Sequence, residues 1–497
     1  MSGGPFSDRS LHFVGIGGAG MSGLAVVAAQ LGAQVTGSDQ VESSYTERLR
    51  ANGIQPAVGH DAANLAPGAE VVVSTAIPES NPELVAAHAA GATVLHRGEL
   101  LGEVARLKRS IAVSGTHGKT TTCAMIVHVL AECGRDPAYL VGGELRSTHT
   151  NAEWGEGDWI VVEADESDRS FLHLAREVAV VTNVELDHHA TYRSISELEE
   201  AFAEFAAPAA TRITGPGLDL GDSLSYGIGS GESPRCGARR RVSGAGLARS
   251  TIGLRSSPDV PAALLPESPR CGARRNDVPA ALLPDLRAEE LELRPLGSVF
   301  VVEGLTAELN VPGRHNVLNA LAALAACRAA GVELTDAVPA LAGFAGTGRR
   351  FEERGTTPGG ARVFDDYAHH PTEVRATLEA AHTLGARRMV ACFQPHLYSR
   401  TRELARDFGR ALALADLTVV LDIYPARERA EDFPGVSGLL VAQATADAAG
   451  GRPVWWLPAM DTAADRLQAM LGEGDVVLTL GAGDVDRLAA ALTREDT

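Results

Sequence analysis

Short apolar runs that end in polar or glycine-rich loops recur along this chain, with segments between them whose apolar residues fall three or four apart. The first pattern predicts buried strands and the second predicts helices packed on them. Their alternation marks a mostly parallel α/β sheet. "LHFVGIGG" is a strand running into a glycine-rich turn, and "MSGLAVVAAQLG" is a helix closed by Gly32. "QVTGSD" and "AEVVVSTAI" are further strands. The pattern restarts at "RSIAVSGTHGKTTT", a strand and loop that lead into the helix "TCAMIVHVLAECG". "GDWIVVEADES" and "EVAVVTNVELDHH" are two more buried strands with polar ends. It restarts again near "FAGTGRRFEE", with strands in "ARVFDDYAHHP", "RRMVACFQPHLYSR", "LTVVLDIYPARE" and "DVVLTLGAGD". These restarts predict three units, 1–107, 108–340 and 341–497. Ligands are expected at the C-terminal strand ends.

Residues 228–290 break the alternation. "ESPRCGARR" occurs twice there, as does "DVPAALLP", and the segment is rich in Arg, Pro, Gly and Ser. The two motifs recur at different offsets, which does not suit a solenoid. The expectation is a duplicated, largely disordered insertion in the middle unit, with a functional Arg-rich segment as the alternative.

Composition narrows the function classes. The chain has 497 residues, 45% hydrophobic and 22% charged, which is ample core for several soluble domains. No apolar run reaches the roughly 20 residues of a membrane span, and the N-terminal stretch has no secretion-signal pattern. A cytoplasmic protein is expected. Its net charge of −19 disfavours nucleic acid and anionic membrane surfaces as partners. The six Cys form no C-x-x-C pair, so buried thiols are expected rather than a zinc site or disulfides. Only two of the 44 basic residues are Lys, Lys108 and Lys119, and one of those lies in a glycine-rich loop.

That loop is "SGTHGKTTT", Ser114 to Thr122. It is two residues shorter than the usual phosphate-binding loop, yet it keeps the parts that matter. The backbone N–H groups of Gly115, Thr116, His117, Gly118, Lys119 and Thr120 can turn toward one anion at a helix N-terminus, with Thr121 next in line. Lys119 can reach the outer phosphates and the Thr120 hydroxyl can ligate Mg²⁺. The bland alternative is a structural turn. "GIGGAG", Gly15 to Gly20, fits G-x-G-x-x-G, and Asp39 lies 19 residues further on, placed for a ribose hydroxyl. That motif fits NAD or any other nucleotide diphosphate, so an NAD-dependent oxidoreductase stays open on these residues alone. Glu163, Asp165, Glu166 and Asp168 cap one strand, and Glu185, Asp187, His188 and His189 another. Such clusters near a phosphate loop suit Mg²⁺ bridging phosphates, or plain helix capping. His315, Asn316 and Asn319 open a helix, and Asp366, Tyr367, His369, His396, Arg400 and Arg402 gather at later strand ends.

Taken in order, "GIGGAGMSGLA", "SGTHGKTTT", "EADESD", "TNVELDH", "PGRHNVLNALAA", "GTGRRFE", "DDYAHHPTE" and "FQPHLYSRT" resemble the Mur ligase family over nearly the whole chain. Within it they resemble most the branch that adds L-alanine to UDP-N-acetylmuramate. The resemblance implies a Rossmann-like domain for the UDP-sugar, a P-loop ATPase-like central domain and a Rossmann-like C-terminal domain for the amino acid. It implies ATP and Mg²⁺, an acyl-phosphate intermediate, and a monomer or homodimer. A neighbouring branch instead recycles a ready-made tripeptide.

Carried over by position, Lys119, His188, His369 and Arg400 are the implied catalytic residues. Thr120 and Glu163 are the implied ligands of one Mg²⁺ and His188 of a second. The nucleotide would meet the phosphate loop, His315, Asn316, Asn319, Arg350 and Asp366. The sugar nucleotide and product would meet Gly15, Gly17, Gly18, Ala19, Gly20, Met21, Ser22, Asp39, Ser74, Thr75, His96, Arg97, Glu166, Ser167, Tyr367, His369 and Arg400. Two departures stand out. With no Lys after Lys119, the carbamylated Lys of related ligases has no counterpart. Leu397 stands where some relatives have a second Arg before "YSR", which leaves Arg400 or Arg402 to hold a carboxylate.

Overall fold

The computed structural model describes residues 4–187, 191–229 and 284–493. The alternation of the sequence becomes three sheets. In the first, the strands run in the order Ala57–Val58, Gln34–Asp39, Ser10–Val14, Glu70–Val73, Val94–His96, all parallel. The order reverses beside Ser10–Val14, so the loops after it and after Glu70–Val73 open on one crevice, the usual place for a ligand in such a sheet.

The middle sheet has ten strands. Its centre is Arg109–Ser114, flanked in parallel by Val178–Val181 on one side and Trp159–Glu163 on the other. These strands are nearly continuous apolar runs because both faces are covered. On one face the helices Lys119–Glu132 and Arg314–Ala329 pack together. The second of these is alanine-rich, and its small buried side chains allow close approach. The helix Ala19–Gln30 of the first unit lies against the far edge of this sheet. There Asn151 donates from Nδ2 to the Ala19 carbonyl at 3.0 Å.

The third sheet places Glu352–Thr356 antiparallel to Arg362–Asp366, followed by the parallel strands Asp475–Leu480, Arg388–Phe393, Leu417–Val420 and Val454–Trp456. Leu341 and Phe344 still pack in the middle core, so the crossing into the third unit comes just after them. Among the described residues no helix is long and apolar enough to cross a membrane.

The expected insertion needs correction at its ends. Ile228 closes the strand Leu224–Ile228, and residues 286–290 open the strand Leu286–Arg294, which pair with each other in parallel. The second of these is "LRAEELELR", half solvated and charged, and that hid its alternation beside the Arg-rich repeats. Residues 230–283, which hold both repeats except the last residue of the second "DVPAALLP", lie outside the described residues.

Candidate active site

The loop after Arg109–Ser114 is built by its two glycines. Gly118 has φ +80°, and a Cβ there would sit 2.5 Å from Asn319 Oδ1. Gly115 has φ +129°, and a Cβ would collide with Thr182 Oγ1. Only glycine fits both demands. The first half of the loop is tied to the end of Val178–Val181. His117 N–H donates to Asn183 Oδ1 at 2.8 Å, and the Thr182 hydroxyl to the His117 carbonyl at 2.6 Å. Thr116 Oγ1 accepts from Glu185 N–H at 2.9 Å. The first turn of Lys119–Glu132 has no intrahelical acceptors for its N–H groups, among them those of Lys119, Thr120 and Thr121, and so offers them to an anion. Lys119 arches back over the loop, donating to the Gly115 carbonyl at 2.7 Å and lying 2.9 Å from Glu166 Oε2. Burial works to lower its pKa, but Glu166, Asp165 and Glu163 outweigh burial and leave it raised. Lys119 is a fixed cation.

Next to it stands the acidic end of Trp159–Glu163. Glu163 Oε1 accepts from the Thr120 hydroxyl at 3.0 Å and Oε2 from Gly142 N–H at 2.7 Å. Burial pushes its pKa up, with Lys119 opposing. Two hard oxygen donors, one a carboxylate whose charge is short of compensation, fit a Mg²⁺ ion. His188, the expected ligand of a second ion, lies outside the described residues. A softer group gathers nearby: His117, Glu185 and His370 bring potential ligand atoms within 4.8 Å of one another. It supplies its own cation. His117 is pushed up to about 9, because Glu185 and Glu373 outweigh the lowering by burial.

The rest of the acidic motif reaches the first unit. Arg97 donates to Asp165 Oδ2 at 2.7 Å and lies 3.6 Å from Asp168, while its other side approaches Gly20, where a Cβ would sit 3.1 Å from Nη1. His96 lies 3.7 Å from Asp168, and Ser167 N–H donates to Asp165 at 3.0 Å. Arg97 thus spans the glycine loop of one unit and the acidic strand end of the next. In the glycine loop itself, Gly17 N–H donates to Asp39 Oδ2 at 2.8 Å. Asp39 braces the loop from within, a role the dinucleotide fingerprint did not foresee. Gly15 has φ +76° and Gly18 caps the helix that begins with Ala19. Met21 is buried in its first turn, and the Ser22 hydroxyl donates back to the Ala19 carbonyl. Ser74 and Thr75 follow the neighbouring strand Glu70–Val73, at the same crevice.

Asn319 donates to Asn316 Oδ1 at 3.1 Å and stands directly over Gly118, while Asn316 caps the Pro312 carbonyl at 2.7 Å. Burial pushes neighbouring His315 down to about 4, a neutral imidazole. Across the linker, Asp366 accepts both Phe351 N–H and Ala368 N–H at 2.8 Å, and burial lifts it to about 6. Arg350 lies over the Tyr367 ring, 5.2 Å from its centroid, and 3.6 Å from Glu373. His369 Nδ1 sits 2.9 Å from the Tyr367 carbonyl. A carbonyl only accepts, so Nδ1 carries the proton and Nε2 is left unprotonated. Arg400 is held by Asp187 of the middle unit through bonds of 3.0 and 3.2 Å, and it donates to His396 Nδ1 at 3.2 Å.

The described candidates therefore line three facing strand-end surfaces. Three connections were not visible beforehand: Arg97 to Asp165, Arg400 to Asp187, and the contacts of Glu373. The only trace of Glu373 in sequence is "HHPTE", which fits an ordinary helix cap.

Comparison with known proteins covers the chain from end to end. Residues 10–109 match the model "Mur ligase family, catalytic domain", residues 113–212 the "Mur ligase middle domain", and residues 349–483 the "Mur ligase, glutamate ligase domain". The UDP-N-acetylmuramate–L-alanine ligase of Streptomyces coelicolor is 44% identical over 97% of each chain. That of Rubrobacter xylanophilus is 42% identical over 97% of this chain and 99% of its own. The solved UDP-N-acetylmuramate–alanine ligase of Thermotoga maritima superposes with a TM-score of 0.76 at 28% identity, covering 97% of this chain and 98% of that one.

Proposed function

The chain belongs to the Mur ligase family, and from that premise we propose that it joins L-alanine to the lactyl carboxylate of UDP-N-acetylmuramate at the expense of ATP, releasing ADP and phosphate. The observation that carries this reading is the arrangement around Lys119. A short phosphate loop and its paired Glu163 and Thr120 face Arg97 of the sugar-nucleotide unit on one side and the His369–Arg400 end of the third unit on the other.

A carboxylate is a poor electrophile, so the lactyl group first attacks the γ-phosphate and becomes an acyl phosphate. The alanine amine then attacks that carbonyl and phosphate leaves. Two anions must meet in the first step, and catalysis is chiefly positioning and charge neutralisation. Lys119 and the helix N-terminus hold the phosphates. Thr120 and Glu163 would hold one Mg²⁺ and His188 a second, supplying further positive charge against the phosphate oxygens. His315, Asn316, Asn319, Arg350 and Asp366 receive the nucleoside end. The glycine loop, with Ser74, Thr75, His96 and Arg97, takes the UDP diphosphate and sugar, and Glu166 and Ser167 lie toward the sugar. Tyr367, His369 and Arg400 surround the alanyl group. The division into three units, expected at 1–107, 108–340 and 341–497, belongs to the same proposal, supported by the three separate sheets, with the last boundary moved past Phe344 because Leu341 and Phe344 pack in the middle core. So does a cytoplasmic site of action, where ATP is supplied.

The test is a coupled ADP-release assay with UDP-N-acetylmuramate and a panel of amines. ADP release with L-alanine is expected. Release with a tripeptide and none with L-alanine would overturn the choice of amine, and release with neither would overturn the ligase reading.

A further inference from the structure

Glu373, which no motif singled out, touches both the phosphate loop and the linker to the third unit. It is the third residue of the helix Pro371–His382, where its Oε2 accepts the N–H groups of His369 at 3.0 Å and His370 at 3.3 Å. That much is a capping box. A cap needs no cation, yet two cations and a neutral imidazole meet this carboxylate. His117 Nδ1 of the phosphate loop is 3.4 Å away, Arg350 Nη1 of the linker 3.6 Å, and His369 Nδ1 3.4 Å. The carboxylate is largely buried among them, and its pKa is held well below the usual range because the cationic His117 and Arg350 outweigh burial. The opposite side of His117 faces Glu185, 3.4 Å from Nε2, and its ring lies against His370 with centroids 4.5 Å apart. Thr372 donates to the same Glu185 at 2.5 Å.

We propose that Glu373 is a positioning residue that couples the nucleotide loop to the amino-acid pocket, by holding His117, Arg350 and His369 in one arrangement. The inference rests on the ligase reading given above. His117 belongs to the loop that cradles phosphate, and His369 to the pocket assigned to the amino acid. An anion in the loop fixes the backbone on either side of His117. Through Glu373 that fixes the start of the helix carrying His369. The coupling is reciprocal, as linkage requires, so a filled amino-acid pocket tightens the loop on its nucleotide by the same factor. Without the negative charge, His117 keeps only Glu185 and the two sites become independent.

Glu373→Gln separates this role from capping, because Gln also serves at that position of a capping box. The experiment measures the affinity of a non-hydrolysable ATP analogue by calorimetry, at saturating UDP-N-acetylmuramate, with and without L-alanine. The full chain is used as wild type, Glu373→Gln, His117→Gln and the double variant, with ADP release measured alongside. Wild type is expected to bind the analogue at least fivefold more tightly with L-alanine present. Glu373→Gln should lose that enhancement and at least tenfold in kcat/KM for L-alanine, and in the His117→Gln background it should have less than a twofold effect. An enhancement unchanged in Glu373→Gln, or fully additive effects of the two substitutions, would overturn the proposal. Failure of the ligase reading shows separately, as wild-type protein that releases no ADP.

Discussion

At the scale of single residues, the site works by surrounding a few charges with the right partners and keeping other groups neutral. Lys119 is charged and held by Glu166, and no second Lys stands nearby to replace it. Lys119→Ala is expected to abolish ADP release, by 10³-fold or more in kcat, the scale of losing a charge preorganised at a transferring phosphoryl group. Near-normal turnover would refute the ATP-site assignment. The histidines titrate in opposite directions. His369, His370 and His396 are pushed down to about 4, 4 and 3, chiefly by burial. His370 Nδ1 accepts Thr372 N–H, and His396 Nδ1 accepts from Arg400, and protonation would break both bonds. Their folded-state values lie below the ~6.5 of a free imidazole. Their contribution to stability is therefore full above that pH and is lost as pH falls toward the folded values. His117, raised to about 9, contributes fully below ~6.5 and loses that contribution as pH rises through 9. Melting temperature measured from pH 4 to 10 should therefore fall on both sides of about 6.5 as these groups titrate, and His117→Gln should flatten the alkaline side. Sequence named most of these histidines but not their charge. Charge state here follows from burial and from which carboxylate faces which ring, and neither is written in local order.

At the scale of elements, the sequence was legible wherever a segment is buried on one side of a period and punctuated by glycine. "LHFVGIGG" and "RSIAVSGTHG" became strands that end in glycine turns, and the helices after them start where the motifs say. The phosphate loop is short because Gly115 and Gly118 each take a backbone conformation that L side chains rarely adopt. Gly118→Ala meets both a positive φ and the Asn319 amide oxygen 2.5 Å away, so the loop must distort. The expected outcome is at least a 100-fold loss in kcat/KM for ATP with the circular dichroism spectrum unchanged, which corresponds to about 3 kcal/mol of transition-state binding. Illegible elements have a different character. The strand Leu286–Arg294 is a charged, half-solvated segment, and it pairs with a strand from the other side of the repeats. A period-two pattern of Leu and Glu carries little signal when one face meets water.

At the scale of the molecule, the three units are joined by charged contacts. Arg97 holds the first to the second through Asp165, and Asp187 holds the second to the third through Arg400. The latter pair has side-chain exposures of only 5% and 6%, so its geometry is shielded from salt. Removing one member strands a buried charge, which typically costs 3–5 kcal/mol. Arg400→Met should lower the unfolding free energy read from urea denaturation by an amount of that order, whereas Arg400→Met with Asp187→Leu should recover much of the stability while turnover stays low. None of these cross-unit partners could be read from the chain in order: Asp187 and Arg400 stand 213 residues apart.

The scarcity of lysine gives the molecule an unusual chemical handle. Lys108 is occupied, donating to the Gly155 carbonyl at 2.7 Å and lying over the Trp154 ring, 4.7 Å from its centroid. Lys119 sits in the loop that would be covered by nucleotide. The protein thus offers amine-directed reagents just two side chains, one of them a built-in reference. Because Lys119 is a cation paired with Glu166, mass spectrometry over a time course of acylation should show it modified slowly in the free protein and more slowly still once a nucleotide is bound, against a constant signal from Lys108. A single peptide ratio then reports, without any engineered label, how often the phosphate loop stands open.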